Sequence, residues 1–99
     1  LTYAQLTGED EDPQDFVGAS ITVLLHRALG DRWLTHLGLI FDWGTTFFNM
    51  MQMTDVIPEL EVLREYVEAP NELDDLQEVI RLAREVRGHP ELFLVFYGD

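Results

Sequence analysis

Residues Asn71 to Tyr97 read NELDDLQEVIRLAREVRGHPELFLVFY, and this stretch carries the strongest structural signal in the chain. Leu76, Val79, Ile80, Ala83 and Val86 recur at three- and four-residue spacing, which puts them on one face of an α-helix. Asn71 stands where a cap belongs, Glu72, Asp74 and Asp75 fill the first turn, and Arg81, Arg84 and Arg87 crowd the end, so the charges complement the helix dipole. Gly88 stops the helix. The run Leu92 to Tyr97 follows, apolar at every position, as in a strand buried on both faces. A helix over 71–87 leading into a central strand sets the fold class: helices packed on a sheet.

Upstream, Ala69-Pro70 ends a preceding helix in which Ile57, Leu60, Leu63 and Val67 share a face and Pro58 sits in the first turn. Residues 34–42, LTHLGLIFD, are apolar without a lasting helical period and stop at Asp42-Trp43-Gly44, so they read as a strand. Residues 45–53 either pair back as the second strand of a hairpin or run as a helix toward Pro58, and the short Gly-containing connection favours the hairpin. Asp12 as cap, Pro13 at the first helical position and Asp15 in the first turn start a helix over 13–29, in which Val17, Ile21, Leu24, Leu25 and Ala28 recur. Thr2 to Leu6 read as a first strand. The order becomes β-α-β-β-α-α-β, an α/β (α+β) chain with a small mixed sheet and a ferredoxin-like arrangement. Its 99 residues suit a single domain, 1–99, with an acidic loop at 7–12. The helix 71–87 with its terminal strand also resembles the end of the barnase-inhibitor family, small acidic α/β proteins that block ribonucleases. That resemblance spans about a quarter of the chain and lacks the inhibitor's central acidic helix and loop, so none of its residues are carried over.

Charge narrows the function. The chain holds 19 acids against 6 basic residues, all Arg, for a formal charge of −13. Phosphate binding needs clustered cations, so direct nucleic-acid binding is disfavoured. The uncharged stretches 16–26 and 43–54 fall short of the roughly 20 apolar residues of a membrane helix, and no membrane partner is expected. The absence of Cys excludes disulfides, thiolate metal sites and a cysteine nucleophile, and fits a reducing, cytoplasmic compartment. Ser20 is not in a nucleophile elbow, and His26, His36 and His89 lack the short spacing of a zinc site. Asp10, Asp12 and Gln14 open a calcium-like loop, but Asp15 occupies the position where such a loop turns on Gly. The glycines stand singly, which leaves no phosphate cradle. No catalytic residue, metal or cofactor is expected, and the chain reads as a non-enzyme.

Two constellations remain. Glu59, Glu61, Glu65, Glu68, Glu72, Asp74, Asp75 and Glu78 form an acidic ridge that turns a corner at Pro70. Over residues 55–78 nine acids meet Arg64 alone. A solvated helix face is the plain reading of such a run. The functional reading is a docking surface steered toward a basic partner. Phe41, Trp43, Phe47, Phe48, Met50, Met51 and Met53 make the second constellation, which serves either the core or a homodimer or partner seam. Together they describe a small acidic protein-binding module of inhibitor, immunity or antagonist type, a nucleic-acid mimic that occludes a basic, nucleic-acid-binding surface. The alternative is a homo-oligomeric structural or assembly-adaptor subunit. If the ridge acids repel one another in the fold, their pKa values rise and the melting temperature is higher near pH 5 than near pH 8.

Overall fold

A computed structural model describes residues 2–8, 14–17, 20–28, 34–40 and 45–98. They form strand β1 (Thr2–Gly8), strand β2 (Gln14–Val17), helix α1 (Ser20–Arg27), strand β3 (Thr45–Phe48), helix α2 (Met53–Val62), helix α3 (Pro70–Arg87) and strand β4 (Leu92–Gly98). Single turns of 3-10 helix cover Leu37–Leu39, Met50–Gln52 and Leu63–Tyr66. The four strands make one sheet in the order β2-β1-β4-β3, and every neighbouring pair is antiparallel.

The C-terminal unit is as its pattern predicts. All five stripe residues of α3 are buried, joined by Leu82, because α3 packs against α1, α2 and the sheet. β4 lies between β1 and β3, which explains a strand with no polar alternation. Leu94 and Phe96 point into the helical core, while Val95, fully buried on the other face, pairs with Phe47 of β3. Phe47 and Phe93 meet edge to face there, with ring centroids 6.3 Å apart. β1 forms as expected and extends to Gly8.

The rest of the order departs from the ferredoxin-like expectation. Gln14–Val17, placed in a helix by the sequence pattern, forms β2 against β1, and among the described residues of the expected 13–29 helix Ser20–Arg27 are helical. Of the acidic loop expected at 7–12, Thr7 and Gly8 belong to β1, and residues 9–12 lie outside the described residues. Residues 34–40 form no strand; Leu37–Leu39 is a 3-10 turn, before and within which the N–H groups of His36 and Leu37 donate to Glu59 of α2 and those of Gly38 and Leu39 to the Leu34 and His36 carbonyls, none to a sheet neighbour. Thr45–Phe48 is a strand, but it pairs with β4, 44 or more residues later in sequence, instead of closing a hairpin on 34–42. The described order is therefore β-β-α-β-α-α-β, and the sheet is antiparallel rather than mixed.

The strand β3 ends where Asn49 begins a capping box. Asn49 Oδ1 accepts from Gln52 N at 3.1 Å, and Gln52 Oε1 accepts from Asn49 N at 2.8 Å. Helical winding thus begins at Met50, and Pro58, expected in the first turn, lies inside α2 on its exposed side. Its missing N–H leaves one helix bond unmade. Among the described residues no helix is long and apolar enough to cross a membrane.

Candidate functional site

The acidic ridge is dismantled from within by side chains that the linear sequence keeps far away. α1 ends with Arg27, and its guanidinium reaches the corner between the Leu63–Tyr66 turn and α3. Nη1 donates to the Tyr66 carbonyl at 2.8 Å and to Glu72 Oε1 at 2.6 Å, and Nη2 donates to Glu72 Oε2 at 2.9 Å. Nη2 also pairs with Glu68 Oε2 at 2.9 Å. Two parallel bonds to one carboxylate are the geometry that a guanidinium suits best. Glu72 Oε1 further accepts the N–H groups of Glu68 at 2.8 Å and Ala69 at 3.2 Å.

That local arrangement corrects the cap of α3. Ala69, extended at φ −136° and ψ 151°, is the N-cap, Pro70 occupies the first helical position and Asn71 is already inside. Alanine has no side-chain oxygen, so the start of α3 depends on Glu72 reaching back to satisfy the chain before it. The Arg27 hydrogen bonds, helped by the Glu68 N–H, hold the Glu72 carboxyl down at about 2, while its bond to Glu72 pushes Arg27 up. This is the opposite of the rise that mutual repulsion predicts.

Glu59 is removed from the ridge in the same way. Its carboxylate lies buried against the 34–40 segment, where Oε1 accepts the N–H groups of His36 at 2.8 Å and Leu37 at 3.0 Å. Oε2 accepts from His36 Nδ1 at 2.8 Å and from the Thr35 hydroxyl at 3.4 Å. Glu59→Ala is expected to cost about 1–3 kcal/mol for the orphaned Leu37 N–H alone. Urea denaturation checks this, and a loss below about 0.5 kcal/mol, the size of an ordinary surface change, would mean other contacts hold the segment.

Of the remaining ridge acids, Glu61 lies between Arg64 and Arg84, and Glu78 is held by Arg81. Glu68 gives one oxygen to Arg27 and keeps its side chain 71% exposed. Glu65 and Asp74 are exposed and Asp75 is half-buried, and none of the three makes an ion pair among the described residues. The acids that keep oxygens outside ion pairs are thus Glu65, Glu68, Asp74 and Asp75, on the turn after α2 and the first turns of α3.

The aromatic and methionine constellation is also divided. Phe48 and Met53 are core residues and Met50 packs against the core, whereas Phe47 and Met51 are exposed. Trp43 and Phe41 lie outside the described residues. The described members form no single seam, because β3 alternates faces and the chain then coils into helix. His26 and His89 are exposed and His36 is half-buried, each on a separate element. Among the described residues no group of three or more His, Cys, Asp or Glu is placed to hold a metal ion.

The chain matches no protein-family model, no curated protein and no solved structure. The local likeness of residues 71–97 to the barnase inhibitors therefore carries no argument.

Proposed function

We propose that the protein is a small, non-catalytic binding module that docks a basic protein surface through Glu65, Glu68, Asp74 and Asp75, in the manner of an inhibitor, immunity protein or antagonist. One observation supports this most: Arg27, Arg64, Arg81 and Arg84 each take up carboxylates, whereas Glu65, Asp74 and Asp75 make no ion pair among the described residues and Glu68 leaves one oxygen outside its pair with Arg27. Their charge adds to a total of −13, which steers cationic surfaces toward the molecule over a Debye length of about 8 Å at physiological salt. A target that itself binds nucleic acid would present such a surface, and a reducing cytoplasm suits a chain without Cys.

The triple reversal Glu65→Lys, Asp74→Lys, Asp75→Lys should leave the fold within about 0.5 kcal/mol per site. It should also slow association with the natural target by tenfold or more at low salt, less so as salt rises. Wild-type protein is used as bait, and a target that it retains is purified for rate measurements with both the wild-type and the reversed form. Equal rates for both forms at low salt would refute docking through this corner.

The second reading, an assembly subunit, draws on the sheet. Phe47 stays 57% exposed on the face away from the helices, beside Phe93 and Val95. Association that is indifferent to salt and unaffected by the triple reversal would favour that reading.

A further inference from the structure

Glu59, His36 and Asp55 are arranged as a histidine oriented toward a cation. A carboxylate has acceptors only, and both Glu59 oxygens are engaged by donors from the 35–37 segment. The proton of the His36–Glu59 bond must then sit on Nδ1. Nε2, on the other side of the ring, is then the nitrogen left to meet the next group. That nitrogen faces Asp55 Oδ2 across 3.9 Å, too far for a hydrogen bond. A ring nitrogen and a carboxylate oxygen thus stand on either side of one gap, which a cation bridges, whether a proton on the ring or a metal ion.

The geometry points to a metal site in this gap, with His36 Nε2 and the Asp55 carboxylate as ligands of a divalent transition ion such as Zn²⁺. The support beneath it is of the kind metal-binding histidines use. A carboxylate on the far ring nitrogen fixes the tautomer and raises ligand basicity, and here Glu59 supplies it at 2.8 Å. The Phe48 ring meets the imidazole edge-on, with centroids 6.2 Å apart, which limits its rotation. Asp55 and Glu59 are four residues apart on α2, so one helix face carries both the ligand and the residue that orients its neighbour.

Size agrees as well. Bonds of about 2.0–2.2 Å at a tetrahedral angle separate two ligand atoms by roughly 3.4 Å. Closing from 3.9 Å requires only a small swing of the Asp55 side chain, which is 65% exposed. With two protein donors instead of three, water completes the coordination and affinity is modest. Spacing along the chain gave no hint of such a site, because His36 and Asp55 are 19 residues apart on a turn and a helix.

The test is a Zn²⁺ titration of the full chain at neutral pH, followed by nitrogen-detected NMR of the three imidazole rings. The His36 ring should respond first and saturably, with Nε2 as the shifted nitrogen. Asp55→Asn, an exposed change that leaves the fold intact, should weaken binding at least tenfold, since even outer-shell changes cost about 10–100-fold at metal sites. His36→Gln should abolish it, whereas His26→Gln and His89→Gln should leave it unchanged. No His36 response at millimolar Zn²⁺ would show that the gap serves a proton only. A response that Asp55→Asn leaves untouched would also overturn the site.

Discussion

Phe48→Ala is expected to lower stability by about 3–5 kcal/mol, while Phe47→Ala, one residue earlier in β3, costs about 1 kcal/mol or less. The two residues share a strand, a ring and a sequence neighbourhood, and differ only in the face they point to. Phe48 is 1% exposed. Its ring meets Phe96 of β4 edge to face at 5.8 Å, and also meets His36. Truncation removes that ring from the centre of the core and leaves a cavity which the sheet on one side and α2 and α3 on the other cannot collapse to fill. Against the 5–15 kcal/mol that holds a typical domain together, such a loss leaves a chain close to unfolding. The melting temperature should fall by more than about 12 °C. If Phe47→Ala proved the more damaging of the pair, the register that pairs Phe48 with Leu94 would be wrong by one residue.

Acid should unfold this protein through Glu72. Its carboxyl titrates at about 2 in the fold, against an ordinary 4.5, because Arg27 and two backbone N–H groups hold the ionised form. The folded state therefore binds this proton more weakly than the unfolded chain does. Its contribution to stability is complete above the unfolded value and is lost as pH falls from about 4.5 toward 2. Between pH 5 and pH 8 this group leaves the melting temperature level, so no gain on approaching pH 5 is expected from it. Glu72→Gln should lower stability at pH 7 more than Glu65→Gln does, and should flatten the decline between pH 5 and pH 2.5. Melts of the three proteins across that range decide the matter. Parallel acid curves for wild type and Glu72→Gln would show that the Arg27 bridge contributes nothing to folding.

Some of this was open to reading along the chain, for local reasons. The stripe from Leu76 to Val86 and the unbroken apolar run of β4 determine a helix and a central strand, because side-chain period and burial are properties of neighbouring residues. The capping box at Asn49 and Gln52 was equally local. It marks the start of helical winding at Met50, eight residues before the Pro58 that the sequence pattern puts in the first turn. Tertiary structure alone decided the rest. β-branched Ile21, Thr22 and Val23 yield to helix because Ile21 and Leu24 find the core from α1. The apolar 34–40 segment stays out of the sheet because the carboxylate of Glu59 takes the N–H groups of His36 and Leu37 while those of Gly38, Leu39 and Ile40 turn back onto the segment's own carbonyls. Likewise Arg27 turns Glu72 from a surface charge into a strut across 45 residues of sequence. Composition set the charge at −13, but which acids keep free oxygens is fixed by where the arginines land, since ion pairing depends on distance in space and not on separation along the chain.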